Sequence, residues 1–134
     1  MKLSIEQVIT ENAPPAVGPY SQGIVAGNLV FTAGEIPLDP KIGTIPETIE
    51  EQAELAMNNL LAVINAAGSD RSHVVSVNLY LADMGDFAKV NAIYEKFFAK
   101  PFPARTCIAA ASLPKGVKIE VSAIAAKTQR SEIA

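Results

Sequence analysis

The sequence predicts an α+β fold, a mixed β-sheet with two helices packed on one of its faces. Three observations lead there. Two stretches, 48–67 and 83–98, carry apolar residues at helical spacing. The remaining apolar stretches alternate or run at strand length and are bounded by Pro, Gly and Asn. The two kinds follow one another as β-β-β-α-β-α-β-β, an order that leaves both helices free to cover the same sheet. A length of 134 residues suits one domain and one core, spanning 1–134.

"SIEQVIT" alternates loosely, with Ile5 and Val8 as its apolar positions, and reads as a first strand. "ENAPPAVGPYSQ" is rich in Pro and Gly, so it is a loop with few conformations. "GIVAGNLVFTAGEIP" reads as strand, turn, strand, with Gly27-Asn28 as the turn. "LDPKIGTIP" is a further loop. The first helix opens on Thr48, which forms a capping box with Glu51. Ile49, Ala53, Met57, Leu60, Ile64 and Ala67 then recur every three or four residues and share a face. Gly68 closes the helix as its C′ residue.

"SHVVSVNLYLAD" is the fourth strand. Alternation puts Val75, Val77, Leu79 and Leu81 on one face, expected to meet the helices. Val74, Ser76, Asn78 and Tyr80 share the other, which is too mixed for helix packing and suits another subunit or a ligand. "DMGDFAKVNAIYEKFF" is the second helix, with Asp83 or Asp86 as N-cap and Phe87, Val90, Tyr94 and Phe97 as its buried stripe. Pro101 and Pro103 stop it. "FPARTCIAAASLPKGVKIEVSA", from Phe102 to Ala123, reads as a closing hairpin with "SLPKG" as its turn. The tail after Lys127 is polar and reads as frayed.

Composition narrows the function. Charged residues make up 19% against 49% hydrophobic, below the usual charged share, which favours apolar surface covered by self-association. The formal net charge of −3 and the lack of a Lys/Arg stripe argue against an electrostatic nucleic-acid binder. The single cysteine, Cys107, excludes an internal disulfide, and no Cys/His cluster offers a metal site. No signal-like segment opens the sequence and no apolar run is long enough to span a membrane, so a cytoplasmic location is expected.

The final hairpin carries two charges on otherwise apolar strands, Arg105 and Glu120. A register that sets them opposite each other, or two positions apart, places them on one face within reach. Two readings follow. One is a structural ion pair at a sheet edge, which contributes little. The other is a site. Arginine presents a planar fork that matches a carboxylate through two hydrogen bonds, and a neighbouring glutamate can hold a water or pass a proton. Tyr20 on its stiff loop and Gly34 at a strand end, where bare backbone allows close approach, are candidate walls. Asn91 interrupts the apolar stripe of the second helix. On general grounds Tyr20 suits packing and Asn91 suits solvent.

The pieces "APPAVGPYSQG", "GNLVFTAGEIPLDPKIG", "NLLAVINAAGS", "VVSVNLYLADMGDFAKVNAIYEKFF" and "FPARTCIAAASLPKGVKIEVSAIA", in this order, resemble the RidA (YjgF/YER057c/UK114) family of enamine/imine deaminases. The resemblance runs from about Ala13 to Ala126 and is most specific in the last piece. It implies a chorismate-mutase-like α+β fold and a homotrimer with clefts between subunits. It further implies hydrolysis of 2-aminoacrylate-type enamines and their 2-imino acid tautomers, such as 2-iminopropanoate and 2-iminobutanoate, to 2-oxo acids and ammonia, with no cofactor or metal. By that resemblance Arg105 binds the substrate carboxylate and Glu120 orients the hydrolytic water. Cys107 contributes pocket backbone, and Tyr20, Gly34 and Asn91 are further pocket positions. Two departures stand out. Many members read Ser-Gly-Gln where this chain reads Ala33-Gly34-Glu35, which removes a hydroxyl and replaces an amide by a carboxylate beside the anion site.

The expected mechanism is attack by a water held on Glu120 upon an imine fixed by Arg105, followed by collapse of the carbinolamine and loss of ammonia. A thiolate at Cys107, favoured by Arg105, is a rival nucleophile. It lacks a histidine base, since His73, the sole histidine, reads as structural. Two other classes remain: a non-catalytic binder of small carboxylates or 2-oxo acids, and an RNA-acting protein, against which the acidic balance weighs.

Overall fold

A computed structural model describes residues 4–128. Six strands form one sheet in the order β1-β2-β3-β6-β4-β5. Their ranges are β1 (Ile5–Val8), β2 (Gly23–Ala26), β3 (Leu29–Thr32), β4 (Val74–Leu81), β5 (Ala104–Ala109) and β6 (Ile119–Ala126). The helices are α1 (Ile49–Ala66) and α2 (Phe87–Tyr94). All pairings are antiparallel except β4 with β5. The expected α+β class and element order are observed. The polar tail read as frayed begins at the end of the described residues and otherwise lies outside them.

α1 forms as its sequence dictates. The Thr48 hydroxyl oxygen accepts from the Glu51 N–H at 3.1 Å and its O–H donates to Glu51 Oε1 at 3.1 Å. Every member of the apolar face from Ile49 to Ala67 is buried. At the far end Gly68 takes φ +89°, where a side chain would be strained. Its N–H donates to Asn65 O and the Ser69 N–H to Ile64 O, the pair of bonds that closes a Schellman motif. α2 is shorter than its pattern suggests, with 3-10 turns at Met84–Asp86 and Glu95–Phe97 on either side. Asp83 caps the first, its Oδ1 accepting from the Gly85 N–H at 2.8 Å.

The core lies between the helices and one sheet face. Val30, Val77, Leu79, Leu81, Ile119 and Val121 are essentially inaccessible there, against Met57, Leu60 and Ile64 of α1. The opposite face has no helix. Leu29 and Phe31 on β3 and Ile108 on β5 stand exposed on it, beside Asn78 and Tyr80 of β4. The alternation expected on β4 holds from Ser76 onward. A register shift between Val74 and Ser76 reverses its start, so Val74 is buried and Val75 exposed. On β1, Val8 is buried but Ile5 is exposed.

The closing hairpin does not exist. β5 pairs in parallel with β4, and β6 pairs antiparallel with both β4 and β3, so β4 lies between the two supposed partners. The reason lies in the connections. β4-α2-β5 is a crossover unit, and a helix returning over the sheet delivers the next strand parallel to the first. The segment 110–118 is too long for a tight turn. It passes the end of β4, with Ala110 N–H donating to Leu81 O and Ala82 N–H to Lys118 O. It needs to span only two strand spacings, about 10 Å. β4 thereby gains a partner on each side, β6 and β5.

Candidate active site

Register decides which side chains meet. Arg105 is aligned with Val77, and Val77 with Ala123, on the helix-bearing face. Glu120 is aligned with Tyr80, and Tyr80 with Ile108, on the open face. Within one chain the arginine and the glutamate therefore point to opposite sides of the sheet, and the shared face expected from a hairpin is not found. The structural ion pair goes with it. Among the described residues the one salt bridge is His73 with Asp70, at 2.7 Å.

Arg105 is instead held by α2. Its Nη1 donates to Asn91 Oδ1 at 2.7 Å. The guanidinium carbon lies 4.8 Å from the centre of the Tyr94 ring and 5.4 Å from that of Phe87. Phe87, Asn91 and Tyr94 follow at spacings of four and three, so one helix face presents two rings with an amide between them. Cation–π contacts of this exposed kind contribute about 0.5–1 kcal/mol each. They also fix direction, because a guanidinium stacked on rings keeps its edge N–H groups outward. A cavity of about 420 Å³ opens beside it, lined by Asn91, Tyr94, Glu95, Phe102, Pro103 and Arg105.

Tyr94 is buried, and its hydroxyl has no hydrogen-bond partner among the described residues. Burial pushes this phenol up, with the Arg105 charge pulling the other way. Cys107 shares the Arg105 face and packs, half-buried, against the core. Burial raises its thiol and outweighs the opposing pull of Arg105, so the thiolate is disfavoured.

The second cluster lies across the sheet. Glu120 packs against Gly34, where an added Cβ would overlap the carboxyl oxygen Oε2. Only glycine leaves room for that carboxylate. Burial raises the Glu120 pKa above the ordinary carboxylate range. Next to it Glu35 is 5% exposed, and its carboxyl is pushed up to about 8, first by burial and then by the charge of Glu120. Tyr20 is 52% exposed on its loop, where its N–H donates to Gly18 O at 2.8 Å.

Of the six residues singled out from sequence, the structure groups Arg105, Cys107 and Asn91 and groups Glu120 with Gly34, and no hydrogen bond among the described residues joins the Tyr20 side chain to either. Asn91, read on general grounds as solvated, is the hydrogen-bond acceptor of Arg105. Phe87 and Tyr94 belong to the buried stripe that the sequence predicts, and the structure adds a second role for them as the rings beside Arg105. The signal that marks them is their helical spacing around Asn91.

These features define a two-layer α+β domain whose Arg105, in no salt bridge among the described residues, borders a cavity of a size for a small molecule. The chain belongs to the Endoribonuclease L-PSP family, which matches residues 10–127 and includes the RidA proteins. It is 46% identical over 123 residues to the 2-iminobutanoate/2-iminopropanoate deaminase of Escherichia coli K12, covering 90% of this chain and 96% of that protein. The yeast protein YEO7 superposes with a TM-score of 0.90 at 40% identity, over 93% of this chain and all of that one. E. coli TdcF, solved with bound serine, superposes at 0.89 and 39% identity, over 92% and 99% of the two chains.

Proposed function

We propose that this chain hydrolyses small 2-imino acids and their enamine tautomers, 2-iminopropanoate, 2-iminobutanoate and 2-aminoacrylate among them, to 2-oxo acids and ammonia. The observation that carries the reading is Arg105, a guanidinium stacked on two rings at a cavity and in no salt bridge among the described residues, although Glu95 also lines that cavity. The deaminase relative at 46% identity supports the choice of substrate.

Arg105 grips the substrate carboxylate in a two-point contact. Asn91, Tyr94 and Phe87 keep the fork from turning. The imine carbon then faces a water on Glu120. Glu120 takes a proton as the water adds and returns it to the departing nitrogen; its raised pKa brings it nearer to working pH. A protonated imine is already electrophilic, so positioning is the main contribution. Cys107 acts through its backbone and has no covalent role.

Arg105 and Glu120 of one chain face opposite ways, so a substrate touching both lies between copies. The uncovered sheet face, with Leu29, Phe31 and Ile108 exposed, supports assembly into a trimer whose clefts are shared between neighbours. The test is ammonia release from freshly generated 2-iminopropanoate and 2-iminobutanoate, with semicarbazide as a competing trap. Acceleration lost in Arg105→Ala is the expected result. Equal rates with and without protein overturn the reading.

A further inference from the structure

A second cavity carries basic side chains of its own, and imine hydrolysis makes no use of them. Its volume is about 560 Å³, and it lies between the start of β4 and the segment that enters β5. Arg71, His73 and Lys100 line it, and no acidic side chain does. The Arg105 cavity, by comparison, is bordered by Glu95 as well. In a chain of net charge −3 this hollow is a local reversal of sign.

Two of the basic groups are oriented before anything binds. The Arg71 guanidinium carbon lies 5.6 Å from the centre of the Phe97 ring, and Nη1 makes a long hydrogen bond to Phe97 O at 3.4 Å. Stacking on a ring leaves the other N–H groups free at the guanidinium edge. His73 Nδ1 lies 2.7 Å from Asp70 Oδ1. An ionised carboxylate only accepts, so Nδ1 carries a proton and Nε2 is the ring nitrogen left for another partner. Asp70 is engaged within its own turn, where it also accepts from the Ser72 hydroxyl at 2.6 Å and the Ser72 N–H at 2.9 Å. Lys100 enters no salt bridge among the described residues. The remaining walls are largely apolar, with Val75 and Phe102 both exposed to the hollow. A charged end and an apolar body would each find a surface here.

We propose that this cavity is a second ligand site, for a small phosphate monoester with an apolar body. Arg71 meets the phosphate oxygens as a fork and Lys100 as a point charge. His73 Nε2 accepts from a protonated phosphate oxygen, or donates to an ionised one when the ring is charged. More than one cation favours a dianion over a carboxylate of single charge. The body lies on Val75 and Phe102. Phe102 and Pro103 also line the Arg105 cavity, so the two hollows share a wall but no cation. The site stands independently of the reaction proposed above.

The experiment is calorimetric titration of the intact protein with phenyl phosphate, inorganic phosphate, benzoate and phenol at one ionic strength. Phenyl phosphate should bind tightest, since it alone joins a dianion to an apolar body. Arg71→Ala and Lys100→Ala should each weaken it about tenfold, and Arg105→Ala should leave it unchanged. Phe102→Ala should weaken phenyl phosphate and spare inorganic phosphate. His73 is the sole histidine, so its ring proton signals in NMR should move on titration without needing assignment. Binding lost in Arg105→Ala and kept in Arg71→Ala would assign the ligand to the Arg105 cavity and overturn the proposal. Inorganic phosphate or benzoate binding as tightly as phenyl phosphate would overturn it too, as would the lack of saturable binding. An inactive protein that binds phenyl phosphate through Arg71 would overturn the hydrolase reading and leave this site standing.

Discussion

Arg105 and Glu120 stand on opposite faces of one sheet, with β4 between their strands. A reaction that needs both cannot be completed by the two groups of a single chain. Subunit mixing tests this directly. Arg105→Ala and Glu120→Gln should each lower kcat/KM by about 10²–10³-fold. Mixed by denaturation and refolding, they should recover activity, since about a quarter of sites would join an intact arginine to an intact glutamate across a heterologous interface. No recovery, in assemblies shown to contain both variants, would place both groups in one subunit.

Gly34 gives Glu120 its place. A methyl group at position 34 would overlap the carboxyl, a flexible side chain end that can swing away. Gly34→Ala should therefore fold, with stability changed by no more than about 1 kcal/mol. Its kcat should fall by about 10²-fold as the water loses its acid. Chemical denaturation and steady-state rates check the two halves separately.

The Tyr94 hydroxyl is buried without a partner. Removing it should relieve an unsatisfied group, so Tyr94→Phe should be neutral or stabilising by about 1 kcal/mol and keep the stacked ring. Tyr94→Leu loses the ring and should raise KM more than it lowers kcat. Thermal melts and Michaelis constants for the two variants separate hydroxyl from ring.

Glu35 makes stability depend on pH in an unusual direction. Its folded pKa, about 8, lies above the 4.5 of a free glutamate. The stability it permits is complete below pH 4.5 and is lost as pH rises through 8, by up to about 1.4 kcal/mol per unit. Glu35→Gln should consequently be more stable than wild type at pH 8, and the gap should close toward pH 4.5. Urea midpoints across that window measure it.

Cys107 has a raised thiol pKa and no histidine beside it. Cys107→Ser should retain turnover within about threefold, since hydrolysis through a water does not use the sulfur. Loss of activity together with a mass shift on a substrate-treated wild-type protein would restore the covalent route.

Local signals were legible where they act locally. Thr48 and Glu51 marked the start of α1, Gly68 its end, and Gly27-Asn28 the β2–β3 turn. Strand partnership was not legible. The alternation of Arg105 with Cys107, and of Glu120 with Ser122, fixes which residues share a strand face, but it says nothing about which strand lies alongside. That was decided by the α2 crossover and the reach of segment 110–118. The candidate site was half visible for the same reason. Arg105, Glu120 and Asn91 stood out as polar residues in apolar stretches. Phe87 and Tyr94 passed as core because a ring that stacks on a guanidinium has the same spacing as one that fills a hydrophobic stripe. Glu35 was visible as a departure from the pattern the resemblance implies, but its burial depends on the bridge to Val121.

The order β1-β2-β3-β6-β4-β5 places β6, the last of these six strands in chain order, inside the sheet between β3 and β4. Until residues 119–126 emerge, the N-terminal meander and the β4-α2-β5 unit have no shared ladder and each shows a bare edge. Closure must therefore wait for β6. A nascent chain stalled before Ile119 should be a ready client for chaperones, and small losses at the C-terminal strand should prove costlier than equal losses at β1.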